Sequence, residues 1–283
     1  MPLVSIANDM RRARAEHFAV PFFGAFDTYS TDGILAAAAE QRAPVIVGVY
    51  GGTMMQPNGR ALTSYIRVRA EESPVPVSLL LDHGRSVEEC FTAISYGFTD
   101  VMYDGSSLPL DENIADTRRV VEAARTAGVS VEAELGHVGS GRDYQEFGAQ
   151  RKGFTRPDDA ARFVAETGVD FLAVAIGTAH GVYEGDPELD VDLLRELAAR
   201  VAIPLVLHGG TGCSDDQFRA VIAEGIAKIN VSTDLLLRTA ASLREMARTG
   251  EPAYFDFEKA AIESYRSLCT RYLQLFGASG KAS

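Results

Sequence analysis

Apolar residues along this chain come in short blocks separated by longer amphipathic stretches. Eight blocks are rich in β-branched and aromatic residues: FAVPFFGA (18–25), PVIVGVY (44–50), VPVSLLL (75–81), TDVMYD (99–104), VSVEAEL (129–135), VDFLAVAIG (169–177), IPLVLHG (203–209) and IAKINVS (226–232). Several are apolar at successive rather than alternate positions, the pattern of a strand buried on both faces. Helical spacing fills most of the intervals. STDGILAAAAEQR (30–42) pairs a Ser or Thr N-cap with Ala-rich propensity. SVEECFTAISYGF (86–98) sets Val87, Cys90, Ile94 and Phe98 on one face, and NIADTRRVVEAARTAG (113–128) stops at Gly128. RPDDAARFVAETGVD places Pro157 in a first turn and Gly168 after the last, and DVDLLRELAARV and SDDQFRAVIAEG complete the series. Strands alternating with helices predict a parallel sheet with right-handed crossovers. Eight such units in roughly 230 residues predict an α/β fold closed as a (β/α)8 TIM barrel. An open doubly wound sheet would favour GxGxxG after the first strand, and PFFGAFDTYS has none. From about residue 235 the chain reads as helix. The organisation expected is therefore one barrel domain over 1–283 with a C-terminal helical extension, its tail GASGKAS loose or near a subunit contact.

Composition narrows the function classes. The 283 residues are 46% hydrophobic and 23% charged, enough to bury a large core without a disulfide or structural metal. The net charge of −12 argues against nucleic-acid partners and anionic membrane surfaces, while leaving a small anionic substrate open. The first twenty residues contain no apolar signal core, and no run approaches the ~20 residues of a membrane span. Cys90, Cys213 and Cys269 are widely spaced and odd in number, which reads as reduced thiols in a cytoplasmic protein.

Chemistry-bearing residues gather where strands end, the active face of such a barrel. Three of the five histidines end apolar runs and precede glycine: His83 in LDHG, His180 in GTAHG and His208 in LHGG. Three neutral imidazoles converging with an open coordination position make a catalytic Zn2+-type site. Three separate histidines, each satisfied by a backbone partner, is the plainer alternative. Asp82 precedes one of them and reaches the same cavity only if the strand ends there and Gly84 lets it turn. Beside a bound substrate it could shuttle a hydroxyl proton. Two glycine-rich turns, IGTAHG (176–181) and HGGTG (208–212), and the segment NVST (230–233) offer backbone N–H and hydroxyl donors to a phosphate. Glu132 and Glu134 share strand parity, and a carboxylate buried there needs a metal or cationic partner. Glu134 reads either as an extra metal ligand or as an anchor for the loop that follows. That loop (136–153) is long, glycine-rich and polar, as a lid would be.

Together these stretches resemble the class II, zinc-dependent ketose-bisphosphate aldolases of the fructose- and tagatose-bisphosphate type. The matching segments are LDHG, YGFTDVMYDGS, VEAELGHVG, TGVDFLAVAIGTAHGVY, IPLVLHGGTG, KINVSTDL and the ending YLQLFGASGKA. The resemblance implies a metal-dependent aldolase of carbohydrate metabolism, a homodimer or homotetramer. It would make or cleave a ketose phosphate through a metal-bound enediolate of dihydroxyacetone phosphate. His83, His180 and His208 would hold Zn2+, with Glu134 able to approach it. Asp82 would carry the C4 hydroxyl proton. Gly181, Gly209, Gly210, Thr211, Asn230, Ser232 and Thr233 would hold the phosphate and a hydroxyl, with a monovalent cation (Na+ or K+) nearby.

The departures fall on the aldehyde half. The family carries a proton-moving Glu in the loop after ELG; here Arg142 stands in its place, followed by Asp143. Asp143 or Glu146 is expected to substitute, and Arg142 to meet an anionic group on the aldehyde. PFFGAFD has Gly24 and Asp27 where asparagines are common, and Tyr50 stands where a Ser or Thr often ends the second strand. A non-standard aldehyde, without the usual second phosphate, is expected. The competing readings are a catalytically altered protein that binds metal and a sugar phosphate, and another metal-dependent lyase or hydrolase on the same barrel.

Overall fold

The computed structural model describes residues 3–144 and 150–282. Eight parallel strands close in chain order: β1 (Val20–Gly24), β2 (Val45–Tyr50), β3 (Val77–Gly84), β4 (Asp100–Tyr103), β5 (Ser130–Leu135), β6 (Phe171–Val174), β7 (Leu205–Leu207) and β8 (Ile226–Val231), which pairs back onto β1. The expected (β/α)8 barrel is the fold. Each strand lies within its apolar block except β3, which runs on through Asp82 and His83. The strands are buried throughout except at Tyr50, Asp82 and His83, so polarity appears only at the C-terminal rim.

Helices surround the barrel. α1 (Ala7–Glu16) precedes β1. Then come α2 (Thr28–Gln41), α3 (Gly51–Met54), α4 (Gly59–Glu71), α5 (Val87–Tyr96), α6 (Leu110–Ala127), α7 (Pro157–Thr167), α8 (Val191–Arg200), α9 (Asp215–Ala223), α10 (Thr233–Thr249) and α11 (Tyr254–Leu275). Among the described residues no helix is long and apolar enough to cross a membrane. The sequence pattern misses α1 and α4, whose buried faces are narrow; α4 buries Leu62, Ile66 and Ala70 on one stripe. It also starts α2 late. The cap is Asp27, whose carboxylate accepts from the Ser30 N–H while Ser30 Oγ accepts from the Asp27 N–H. Ser30 is thus the third residue of a capping box. The tail is docked rather than loose: the Gly280 and Ala282 N–H groups donate to the carbonyls of Gln41 and Arg42, and Lys281 meets Glu16 at 2.7 Å.

The barrel interior is layered. At the bottom, the N-terminal segment closes the opening through Asp100, which accepts from Ser5 Oγ (3.0 Å), Ser78 Oγ (2.6 Å), Thr99 Oγ1 (2.9 Å) and the Ile6 N–H (3.2 Å). Above it, fully buried Glu132 receives both Lys228 Nζ contacts (2.8 and 2.9 Å), and Lys228 lies 4.9 Å from the Phe22 ring centre. Phe22 reaches so far across that a Cβ on Gly48 would lie 1.8 Å from it; only glycine fits there. A buried ion pair is costly to make but more costly to halve, because removing one partner strands the other charge. Lys228→Met is expected to destabilise the fold by about 3–5 kcal/mol in urea unfolding, and Lys228→Met with Glu132→Leu to recover much of that loss. A single variant as stable as the parent would show that the pair contributes nothing.

Candidate metal centre and active site

The site forms where β3, β5, β6, β7 and β8 end. Ordinary strand alternation would send Asp82 and His83 to opposite faces. The β2 register continues to Tyr50↔Asp82, but pairing with β4 slips between Leu81 and Gly84. Within the slip His83 adopts φ +49°, a left-handed conformation uncommon outside glycine. This bulge brings both side chains onto one cavity. The expected hinge was Gly84; the turn is made at His83 instead. Gly84 is needed for packing, since a Cβ there would lie 2.7 Å from the Met102 carbonyl and 2.9 Å from Cys90 Sγ.

The three histidines do converge. His83 has its ring centre 4.8 Å from those of both His180 and His208, and one ring nitrogen from each lies within 4.8 Å of the others. Each histidine has its second nitrogen engaged. His83 Nδ1 lies 2.7 Å from Asp104 Oδ2, His208 Nε2 lies 2.8 Å from Glu132 Oε1, and His180 Nδ1 lies 3.0 Å from the Val138 carbonyl. These acceptors place the ring protons on the outer nitrogens. With all three rings neutral, the inner nitrogens would present lone pairs to one another, with His208 Nδ1 only 3.1 Å from His83 Nε2. His180 Nε2 and Glu134 Oε2 are buried without a hydrogen-bond partner among the described residues. Facing lone pairs and orphaned acceptors are unfavourable unless a cation, either a metal ion or an added proton, lies between them. The donor set therefore fits a divalent metal, with neutral imidazoles inside and carboxylates or a carbonyl behind them.

The ionisation pattern agrees. Burial, helped by the charge on His83, pulls His180 down to about 4 and His208 well below its ordinary value. Both imidazoles are neutral near pH 7, as ligands must be. Burial works against a charge on His83, but Asp82, Asp104 and Glu134 outweigh it and push that group up to about 10. Burial raises Glu134 to about 8, with Asp104 adding to the effect. Without a metal the cluster keeps its acids in check only by holding extra protons.

A cavity of about 590 Å³ opens above the histidines. Asp82, Glu134, Gly181, Gly209, Gly210, Thr211, Asn230, Ser232 and Thr233 all line it, as does His137. Asn230 Nδ2 donates to Asp82 Oδ1 at 3.2 Å and fixes that carboxylate beside His83 Nε2, 3.9 Å away. The Tyr183 hydroxyl clamps the glycine turns, accepting from the Ala179 N–H and donating to the Gly209 carbonyl. Two expected site residues are not brought in. Arg142 and Asp143 lie exposed on a 3-10 turn (Gly141–Asp143) and do not line this cavity; Glu146 lies outside the described residues. The start of their loop is stitched to His180, through Gly141 N–H to the His180 carbonyl (2.7 Å) and His180 N–H to the Gly139 carbonyl (2.8 Å). The sequence reading missed Lys228, whose parity with Asn230 and Ser232 in KINVS was the available signal. It also missed Tyr183 and Arg85, for which nothing in the sequence stood out.

The chain matches the family described as fructose-bisphosphate aldolase class-II over residues 4–281. It belongs to that family. A probable fructose-bisphosphate aldolase of Bacillus subtilis is 38% identical over the full length of both chains. A 6-phospho-5-dehydro-2-deoxy-D-gluconate aldolase of Halalkalibacterium halodurans is 37% identical, covering 100% of this chain and 99% of that one. Among solved structures, the YdjI aldolase of Escherichia coli K12 superposes with a TM-score of 0.90 at 32% identity, over 99% of this chain and 100% of that one. The chain is thus an aldolase, a carbon–carbon lyase of the class II kind, whose family generally depends on zinc. Near-equal identity to relatives with different named substrates leaves the aldehyde to be read from the cavity.

The outer acceptors should matter nearly as much as the imidazoles. Asp104→Asn is expected to weaken Zn2+ binding roughly 10–100-fold by chelator competition, because His83 loses its charged orienting partner. Unchanged affinity would remove Asp104 from the site.

Proposed function

We propose that this enzyme makes and cleaves a ketose phosphate through the enediolate of dihydroxyacetone phosphate, with His83, His180 and His208 holding Zn2+. The observation that carries this is the set of three inward imidazole nitrogens beside Asp82, with a glycine-and-hydroxyl seat adjoining them. The metal, when bound, supplies Lewis-acid stabilisation of negative charge developing on substrate oxygen. The remaining steps belong to the chain. Backbone N–H groups of Gly181, Gly209 and Gly210, hydroxyls of Thr211, Ser232 and Thr233, and the N-terminus of α10 hold the phosphate. Among the described residues no lysine or arginine contributes to this seat, which suits an accompanying Na+ or K+. Asp82, held by Asn230, takes the C4 hydroxyl proton in cleavage. The carbon–carbon bond then breaks, the aldehyde departs, and the electron pair stays on the ketone half. In condensation Asp82 returns the proton to the new hydroxyl. Glu134, buried and without a hydrogen-bond partner at one oxygen among the described residues, would serve as a further ligand to the metal.

The aldehyde is proposed to be non-standard, because Tyr50 lines the cavity where a Ser or Thr often ends the second strand and the loop position of the proton-moving Glu holds Arg142. Exposed Leu236, Leu237, Tyr254 and Phe255 on α10 and α11 support assembly as a homodimer or homotetramer.

Zinc-loaded protein in D2O should exchange a proton at the hydroxymethyl carbon of dihydroxyacetone phosphate without any aldehyde, and EDTA should abolish it. No exchange, with zinc and ligand both bound, would favour the altered binding protein instead. Asp82→Ala should keep its zinc and lose cleavage by roughly 10²–10⁴-fold in kcat; full turnover in that variant would strip Asp82 of its role.

A further inference from the structure

Strand order gives the cavity a direction. The phosphate seat lies at the ends of β6, β7 and β8. The histidines occupy the middle, and Asp82 marks the end of β3. Beyond Asp82 the wall is formed by Tyr50, paired with Asp82 across β2 and β3, and by Arg85, three residues further along the chain. A linear substrate anchored by its phosphate and reacting beside Asp82 therefore extends its leaving half over Tyr50 and Arg85.

Arg85 carries the only lysine or arginine charge among the described residues lining the cavity. Its guanidinium lies 5.7 Å from the Tyr50 ring centre, and its own backbone N–H donates to Glu89 Oε2 at 2.9 Å. The Glu89 carboxylate packs toward Gly51, where a Cβ would lie 3.1 Å from Oε2. Among the described residues the Arg85 side chain enters no ion pair, although most arginines of this chain do. Tyr50, 40% exposed, is the one exposed strand residue of the barrel. An aromatic ring beneath a guanidinium limits its freedom and leaves the N–H edge to meet a planar or tetrahedral anion. Here Arg85 lines a cavity otherwise walled by the acids Asp82, Asp104 and Glu134.

We propose that Arg85, steadied by Tyr50, determines specificity for the aldehyde half by receiving a terminal carboxylate, in place of the usual second phosphate, on the aldehyde that leaves beside Asp82. This rests on the dihydroxyacetone phosphate reading above. The cavity volume of about 590 Å³ leaves room for that second anionic end.

The test is condensation of dihydroxyacetone phosphate by the zinc-loaded enzyme with three aldehydes: neutral glyceraldehyde, glyceraldehyde 3-phosphate, and a four-carbon hydroxyaldehyde ending in a carboxylate. The parent enzyme should favour the carboxylate-bearing aldehyde over glyceraldehyde by tenfold or more in kcat/KM, and over glyceraldehyde 3-phosphate as well. Arg85→Gln should shrink that ratio roughly ten- to a hundredfold, mainly through the KM for aldehyde. Arg85→Lys should restore part of it, and Tyr50→Leu should fall between. A parent enzyme indifferent to charge, one that clearly prefers glyceraldehyde 3-phosphate, or an Arg85→Gln variant that slows neutral and carboxylate-bearing aldehydes in proportion, overturns the proposal. Exchange of the dihydroxyacetone phosphate proton in D2O separates the two failures. Exchange with an unmoved ratio defeats Arg85 alone; no exchange and no condensation with any aldehyde defeats both.

Discussion

The site depends on one carboxylate that never touches the cavity. Glu132 is fully buried and divided between two partners: Lys228 within the barrel and His208 at its mouth. Lys228 neutralises the charge that burial would otherwise forbid. Glu132 in turn fixes the His208 ring with its outer nitrogen occupied, which leaves Nδ1 to face His83 and His180. Core electrostatics and ligand geometry are therefore one arrangement. The same logic recurs at Asp104 behind His83 and at the Val138 carbonyl behind His180. Rotating any of the three rings would expose a proton to the centre and strand an acceptor behind it.

Much of the barrel was legible because a parallel sheet wrapped in helices must bury both faces of its strands. Uninterrupted apolar blocks such as PVIVGVY and VPVSLLL can hardly sit elsewhere. What escaped was set by short-range competition or distant packing. Asp27 and Ser30 can both cap a helix, and pattern alone does not rank them. The α4 helix shows the chain only a thin stripe of apolar residues. The tail, polar and glycine-bearing, gave no hint that its backbone would pair with the carbonyls ending α2.

The site was legible in its residue types and less so in its shape. Three histidines at strand ends, each before glycine, stood out because no structural demand repeats that pattern. The need of Glu132 for a cationic partner could be stated from strand parity, but the partner lies 96 residues further on and only closure of the barrel joins them. The bulge at His83 was harder. A left-handed backbone at a non-glycine residue reflects what the surrounding structure imposes, and LDHG looks as though the glycine should turn. Arg142 illustrates the opposite error: aligned to a catalytic position, it lies on an exposed turn in the structure.

On the proposed reading the two ends of the cavity would solve anion recognition differently, and this would bear on how the enzyme chooses substrates. At the β7 and β8 end the donors are backbone N–H groups and short hydroxyls. They would suit a phosphate without adding a full charge near the histidines. A lysine there would compete with the metal for the same electrons and raise the cost of placing a cation between the imidazoles. At the β2 and β3 end, beyond Asp82, that constraint relaxes with distance. A full guanidinium can stand at the rim, exposed, stacked on an aromatic ring and exchangeable without disturbing the ligands. Variation in aldehyde preference is therefore cheapest at the rim, where positions such as Tyr50 and Arg85 carry little of the fold, and most costly around Glu132, where one charge serves both the core and the centre.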